Sequence, residues 1–371
     1  MNKLSSRRFL QKAIVSCFSF FLAAIGAAQQ VIENPKKPTG INAGRVVSLK
    51  EVARIADEKG KFFFVQPFAV FTGHDGSVYV QEFKQLLKFD AQGRFVKNLL
   101  KKGEGPGELN GNLTDVIVGD AEVLLYSSNV YKVVRLDFDG KLLGETKFVV
   151  GFSSLLGYQG GRYVVMRSER KDVPRLNGII EQDYRLTLIA DNGNTVNTPF
   201  ILPLTNTQYF RTGGVRSMSS ISRFMPLSVG NRLVFLFHSP EYLIRVIDLE
   251  KGEVTLSFRR KYERVKYEYT LPKNMPDYPF PKYHNDLCRL LWYKGKLWAV
   301  TSTFDKNKGI LVDVFSREGQ YLDNFYLPIF KIRRNNPQYF APMAIWENFL
   351  YLLEADEDDI ISLIKYEIVG E

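Results

Sequence analysis

The chain is poor in the side chains that most often carry chemistry. It has two cysteines, Cys17 and Cys288. Cys17 falls in an apolar N-terminal run, so Cys288 stands alone in the body of the chain and no internal disulfide can form there. Histidine is almost as scarce, with His74, His238 and His284 far apart in sequence. Three scattered imidazoles and one thiol are too few for a transition-metal centre, so no metal and no cofactor are expected, with an oxygen-only calcium site left open. No Gly-x-Ser-x-Gly elbow, His-Glu-x-x-His pair or calcium-loop pattern occurs, and no catalytic residue is assigned.

A concentrated basic surface is also missing. Lys and Arg outnumber Asp and Glu by 50 to 40, a formal charge of +10. Four of those bases, Lys3, Arg7, Arg8 and Lys12, lie in the first 28 residues, which hold no acid. The rest are dispersed along the chain rather than gathered on one element, which argues against a nucleic-acid partner.

What is present begins with an export pattern. Behind the basic head, residues 13–24 form a mostly apolar run too short to span a bilayer with normal flanks, and Gly26-Ala27-Ala28 suits cleavage before Gln29. Residues 1–28 therefore read as a signal peptide, and the expected address is the periplasm, the cell surface or the medium. Ser6-Arg7-Arg8-Phe9-Leu10 resembles a twin-arginine signal, but Gln11 stands where that signal prefers an apolar residue. Ile14-Val15-Ser16-Cys17 has the form of a lipobox, and a lipoprotein attached through Cys17 is the alternative. Plain export is preferred because the apolar stretch between Lys12 and Cys17 is so short. Residues 29–44, with Pro35, Pro38, Gly40 and Gly44 and few apolar groups, read as a flexible tether. No membrane span is expected in the mature chain, and a monomer is.

From Phe62 onward one pattern recurs: an apolar strand, a turn, a second strand rich in Val, Leu and Tyr, a polar loop, and a third strand ending in an acidic or polar residue and Gly. It closes at Leu87-Lys-Phe-Asp-Ala-Gln-Gly93, Val134-Arg-Leu-Asp-Phe-Asp-Gly140, Leu188-Ile-Ala-Asp-Asn-Gly193, Val246-Ile-Asp-Leu-Glu-Lys-Gly252 and Val314-Phe-Ser-Arg-Glu-Gly319. Spacings of roughly 45–70 residues fit four-stranded propeller blades with growing loops better than helical repeats. A sixth copy near the C-terminus lacks its fourth strand, and residues 46–55 can supply it by pairing with residues 361–368. The expectation is an all-β, six-bladed β-propeller over residues 45–371, closed by an N-terminal strand in the last blade, which leaves no open sheet edge.

Between the first two repeats stands Gly103-Glu104-Gly105-Pro106-Gly107-Glu108-Leu109. Following an Asp-x-x-Gly strand end, it resembles the joint of NHL-type repeats, and more closely that of the exported six-bladed β-propeller family common in Bacteroidetes. The resemblance covers about residues 45–371 and implies the same architecture. It carries over no enzymatic activity and names no ligand.

Candidate binding residues follow from topology. Joints between blades and loops between second and third strands emerge on one face, and loops on a rigid scaffold concentrate binding groups. That face collects Asp115 and Asp286, each a carboxylate among apolar neighbours at the start of an inner strand, with Arg223 between them. It also collects Arg167, His238 and the Tyr-rich basic connection of residues 258–286, which holds Tyr267 and Tyr283. The expected ligand contacts are Asp115, Arg167, Arg223, His238, Tyr267, Tyr283 and Asp286. The partner class is an unidentified glycan, small molecule or envelope protein, so the chain reads as an exported binding module. Two alternatives stay open. A metal-dependent lactonase- or lyase-type propeller would hold its metal with Asp115, Asp286 and a histidine. A structural subunit of an envelope complex would show a large apolar patch and no polar pocket. Trp292, Trp298 and Trp346 are expected in the core, His74 in a hairpin turn, and residues 356–359 in a solvated loop.

Overall fold

The computed structural model describes residues 31–370 apart from 171–177, 197–199, 211–217, 221–224, 231, 238–240, 267–281 and 331–341. Its strands assemble as six antiparallel sheets, one per repeat, and no helix occurs among the described residues. The inner strands are Ala69–Thr72, Asp115–Val118, Ser154–Gln159, Met225–Val229, Leu287–Tyr293 and Met343–Trp346, for blades 1 to 6 in chain order. They start within two residues of the positions the repeat pattern implies. Second strands such as Val78–Gln81 and Val123–Ser127 are buried along their whole length, because both faces of a blade press on neighbours. This is why they read as unbroken apolar runs rather than alternating ones.

Each junction between blades has its own apolar core, six in all, and together they close the ring. Val116, Leu125 and Val134 meet Tyr79 and Leu86 between blades 1 and 2. Tyr351, Leu353 and Leu363 meet Val78 and Phe89 between blades 6 and 1. Trp298 is fully buried between blades 5 and 6. The recurring strand end has a local cause. Asp90 accepts from the amides of Gln92 and Arg94, and Asp137 from those of Asp139 and Lys141. The following Gly93 and Gly140 sit at φ 83° and 77°. An Asx turn closed by a left-handed glycine is thus the hairpin between third and fourth strands.

The joint at residues 103–109 is tied down by its own charges. Glu108 Oε2 accepts from the Gly105 amide at 3.0 Å, the Gly107 amide donates to Glu145 at 2.7 Å, and Lys132 pairs with Glu145 at 2.8 Å. A Cβ on Gly103 would collide with the Glu108 carboxylate, so glycine is required there.

The N-terminal segment departs from the expected tether. Val31–Asn34 adds a parallel fifth strand to the outer edge of blade 4, in register with Ser257 to Arg260. Arg45–Val46 does the same on blade 5, opposite Phe325 and Tyr326. Ser48–Ile55 then pairs antiparallel with Ile361–Val369 as the fourth strand of blade 6. The clasp expected from residues 46–55 is present, shortened by the two residues that turn to blade 5. Asn34 explains the first attachment. Buried to 5% exposure, it donates to Gly319 O at 2.9 Å and accepts from the Tyr321 amide at 2.9 Å, which links blade 4 to blade 5. Residues 1–30, including the signal-like stretch, lie outside the described residues.

Candidate functional site

The inner strand of each blade has one unpaired edge facing the axis, so the ring encloses a channel. Its volume is about 560 Å3, and all six blades contribute to its wall. That wall is mixed, its apolar surface only slightly exceeding its polar surface, and it runs from Phe68 and Leu155 at the joint face to Trp292 and Trp346 deeper in. At the hairpin end Asp120 of blade 2 approaches Gly230 of blade 4, where a Cβ would lie 3.4 Å from its carboxylate, so the channel narrows there. The other mouth opens on the joint face.

Asp115 is placed in that mouth as the first residue of its strand. Its Oδ2 accepts the Leu155 amide at 2.8 Å, tying blade 2 to blade 3. Among the described residues it has no ion-pair partner, and burial pushes its carboxyl up to about 7. Three blades further round, the channel carries a charge that the sequence reading passed over, Arg289. Its strand pairs Leu287 with Thr301 but Arg289 with Val300, a bulge at Cys288. Bulges re-aim side chains. Here Cys288 fills the core between blades 5 and 6, and Arg289, outside every core cluster, reaches the lumen. Its Nη1 donates to Met343 O at 3.3 Å. Burial without a counter-ion pushes its guanidinium down to about 10. An arginine inside Leu287-Cys288-Arg289-Leu290-Leu291-Trp292 was the available signal, of the same kind that marks Asp115.

The other expected site residues do not all converge here. Asp286 is buried at 2% exposure beside the channel wall, with Oδ1 bonded to Arg264 Nε at 3.0 Å and Oδ2 to the Tyr242 amide at 2.9 Å. Burial raises its pKa, and the Arg264 bond opposes that rise. Both oxygens are occupied, so this carboxylate clamps the joint between blades 4 and 5 and is a structural residue. Tyr283 lies under the Arg264 guanidinium, 4.8 Å from ring centroid to cation, in the same clamp. Arg167 sits at the joint-face end of its strand, outside the channel lining. Its buried Nε is without a hydrogen-bond partner, and desolvation lowers its pKa. Arg223, His238 and Tyr267 lie outside the described residues.

His74 is exposed in the first hairpin turn, its ring 5.1 Å from Phe138. Trp298 is a core residue, whereas Trp292, stacked 5.4 Å from Phe235, and Trp346 also form channel wall. Among the described residues, no three His, Cys, Asp or Glu side chains are grouped to hold a metal ion. A second buried polar cluster lies away from the channel. Asp313, fully buried, accepts from Arg260 Nε and from the hydroxyls of Tyr242 and Tyr321, each at 2.7 Å.

Comparison with known proteins agrees with this architecture. Residues 69–196 match the family DUF5128, described as a 6-bladed beta-propeller. A protein from Bacteroides fragilis NCTC 9343, described as exported, is 14% identical, covers 92% of this chain and 100% of its own, and superposes at a TM-score of 0.56. A DUF4221 member from Bacteroides vulgatus is 11% identical over 88% of this chain and 99% of its own, at 0.49. Streptogramin B lyase, at 10% identity over 87% of this chain and 98% of its own, reaches 0.43. The last two scores carry no argument, and the first shows the fold alone. No curated protein matches. The family match and the Bacteroides fragilis structure support the resemblance to six-bladed propellers of Bacteroidetes.

Proposed function

We propose that this six-bladed propeller is an exported binding module, taking a small molecule into the mouth of its central channel from the face that carries the blade joints. The observation that carries the reading is the channel itself. Its volume of about 560 Å3 lies in the range of small-ligand sites, and its wall sets polar groups among apolar side chains, as such sites do. Asp115 and Arg289 are among those polar groups, and neither is neutralised by an ion pair among the described residues. Arg167 and Tyr283 belong to this reading as residues of the entrance rim, and the ligand contacts expected of Arg223, His238 and Tyr267, which lie outside the described residues, remain part of the proposal. Asp286 supports the rim through Arg264 and Tyr242. Export is supported by the basic and apolar pattern of residues 1–28, and by the described export of a protein of the same fold. No helix among the described residues is long and apolar enough to cross a membrane.

Native mass spectrometry after incubation of the purified protein with small-molecule extract of a Bacteroides culture tests the reading. Retained mass should appear with the natural chain and disappear with Ala69→Trp, which places an indole in the channel mouth. Retention unaffected by Ala69→Trp, or no retained molecule at all, contradicts it.

A further inference from the structure

Arg289 says what kind of molecule the channel takes. A guanidinium carries five N–H donors, and among the described residues only one is used, in a long bond of 3.3 Å to Met343 O. No carboxylate lies within 4 Å of it among the described residues, as the ion pairs formed there leave it out. A half-buried cation with idle donors is held at a cost that an arriving anion removes. Carboxylate geometry matches the guanidinium fork with two parallel hydrogen bonds.

Resting on the channel reading above, we infer that the ligand is an organic monocarboxylate with an apolar body, its carboxylate on Arg289 and its body against Phe68, Trp292 and Ile345. The single negative charge follows from the remaining titratable groups of the lining, Asp115, Asp120 and His74. Two carboxyl groups in one narrow channel oppose a dianion such as a phosphate monoester. Asp115 tolerates a monoanion because burial keeps it partly protonated at neutral pH. The apolar body follows from the wall, where Ile345 and Trp346 of blade 6 and Trp292 of blade 5 offer no charged group.

The test uses an isosteric pair, 1-naphthaleneacetate and its neutral amide, titrated at pH 7 against the full mature chain and followed by ligand-observed NMR. The acid should bind at least about tenfold more tightly than the amide. Arg289→Met should abolish that preference without lowering the melting temperature, since among the described residues it removes a charge with no counter-ion and only one long hydrogen bond. Arg289→Lys should keep part of the preference and so serves if the Met variant fails to fold. A natural chain that binds acid and amide equally, with both displaced by Ala69→Trp, overturns the carboxylate assignment and leaves the channel reading intact. A preference that persists in both Arg289 variants overturns it too. If neither compound binds while the extract experiment retains a neutral molecule, the assignment also fails. Failure of both experiments removes the channel reading itself.

Discussion

At the scale of single residues, the buried charges differ in what they do. Asp115 keeps a carboxyl that folding makes less acidic, rising from 3.8 to about 7. The sign follows from linkage: between those two values the unfolded chain has released a proton that the folded chain still holds, so raising the pH favours unfolding. Stability measured by denaturant should therefore fall from about pH 4 to pH 7 more steeply in the natural chain than in Asp115→Asn, which retains an acceptor for the Leu155 amide. Parallel curves for the two proteins would show that the carboxyl is not held in the way described. Asp313 is the opposite case. Its three partners, Arg260, Tyr242 and Tyr321, occupy both of its oxygens, and replacing it by alanine strands the buried Arg260 guanidinium. Breaking one side of a buried pair typically costs about 3–5 kcal/mol, and urea unfolding of Asp313→Ala should show a loss of that size with no change in ligand binding. The two aspartates look alike in sequence, each followed by an apolar run, Val116-Ile117-Val118 after Asp115 and Val314-Phe315 after Asp313. Only the cross-blade partners tell the mechanical one from the one that faces a lumen.

Strands and turns are where the sequence was most legible, and the reason is local. The Asp-x-x-Gly ends announce hairpins because the aspartate bonds to backbone two and four residues on and the glycine takes a left-handed φ, as at Asp90 and Gly93. Nothing beyond six residues is needed to read them. Residues 31–34 gave no such signal. Val31-Ile32-Glu33-Asn34 is a strand because blade 4 offers an open edge and Asn34 finds Gly319 and Tyr321 across a gap of nearly the whole chain. Arg289 escaped for a related reason: the bulge at Cys288 that decides where its side chain goes is set by pairing with residues 300 and 301. Two truncations separate the roles of the N-terminal elements. A chain starting at residue 45 loses the strand on blade 4 but keeps the clasp, and should fold with a melting temperature lowered by a few degrees. A chain starting at residue 57 loses the fourth strand of blade 6 and bares the edge of Ile361–Val369, so it should aggregate or lose cooperative unfolding. Equal melting temperatures for the full-length mature chain and the chain starting at residue 57 would mean that the clasp contributes nothing.

For the molecule as a whole, the six cores have one property in common: every one is shared by two blades. No blade owns a core that survives without a neighbour, so removing any blade exposes two apolar faces at once. Unfolding should accordingly be a single calorimetric transition, with calorimetric and van't Hoff enthalpies in agreement. A thermogram that resolves blade-by-blade steps would show that the junctions are energetically independent.

The clasp in blade 6 also sets an order in time. Residues 48–55 are made long before their partner strand, which runs to residue 369. A growing chain can assemble its first blades but cannot shut the ring until that strand has emerged, because the pairing spans about 310–320 residues of sequence. Up to that moment the polypeptide is an open arc with bare strand edges, a form still able to be threaded through a narrow pore and one that a holding chaperone would recognise. Completion is thus postponed by topology, with no separate device to delay it.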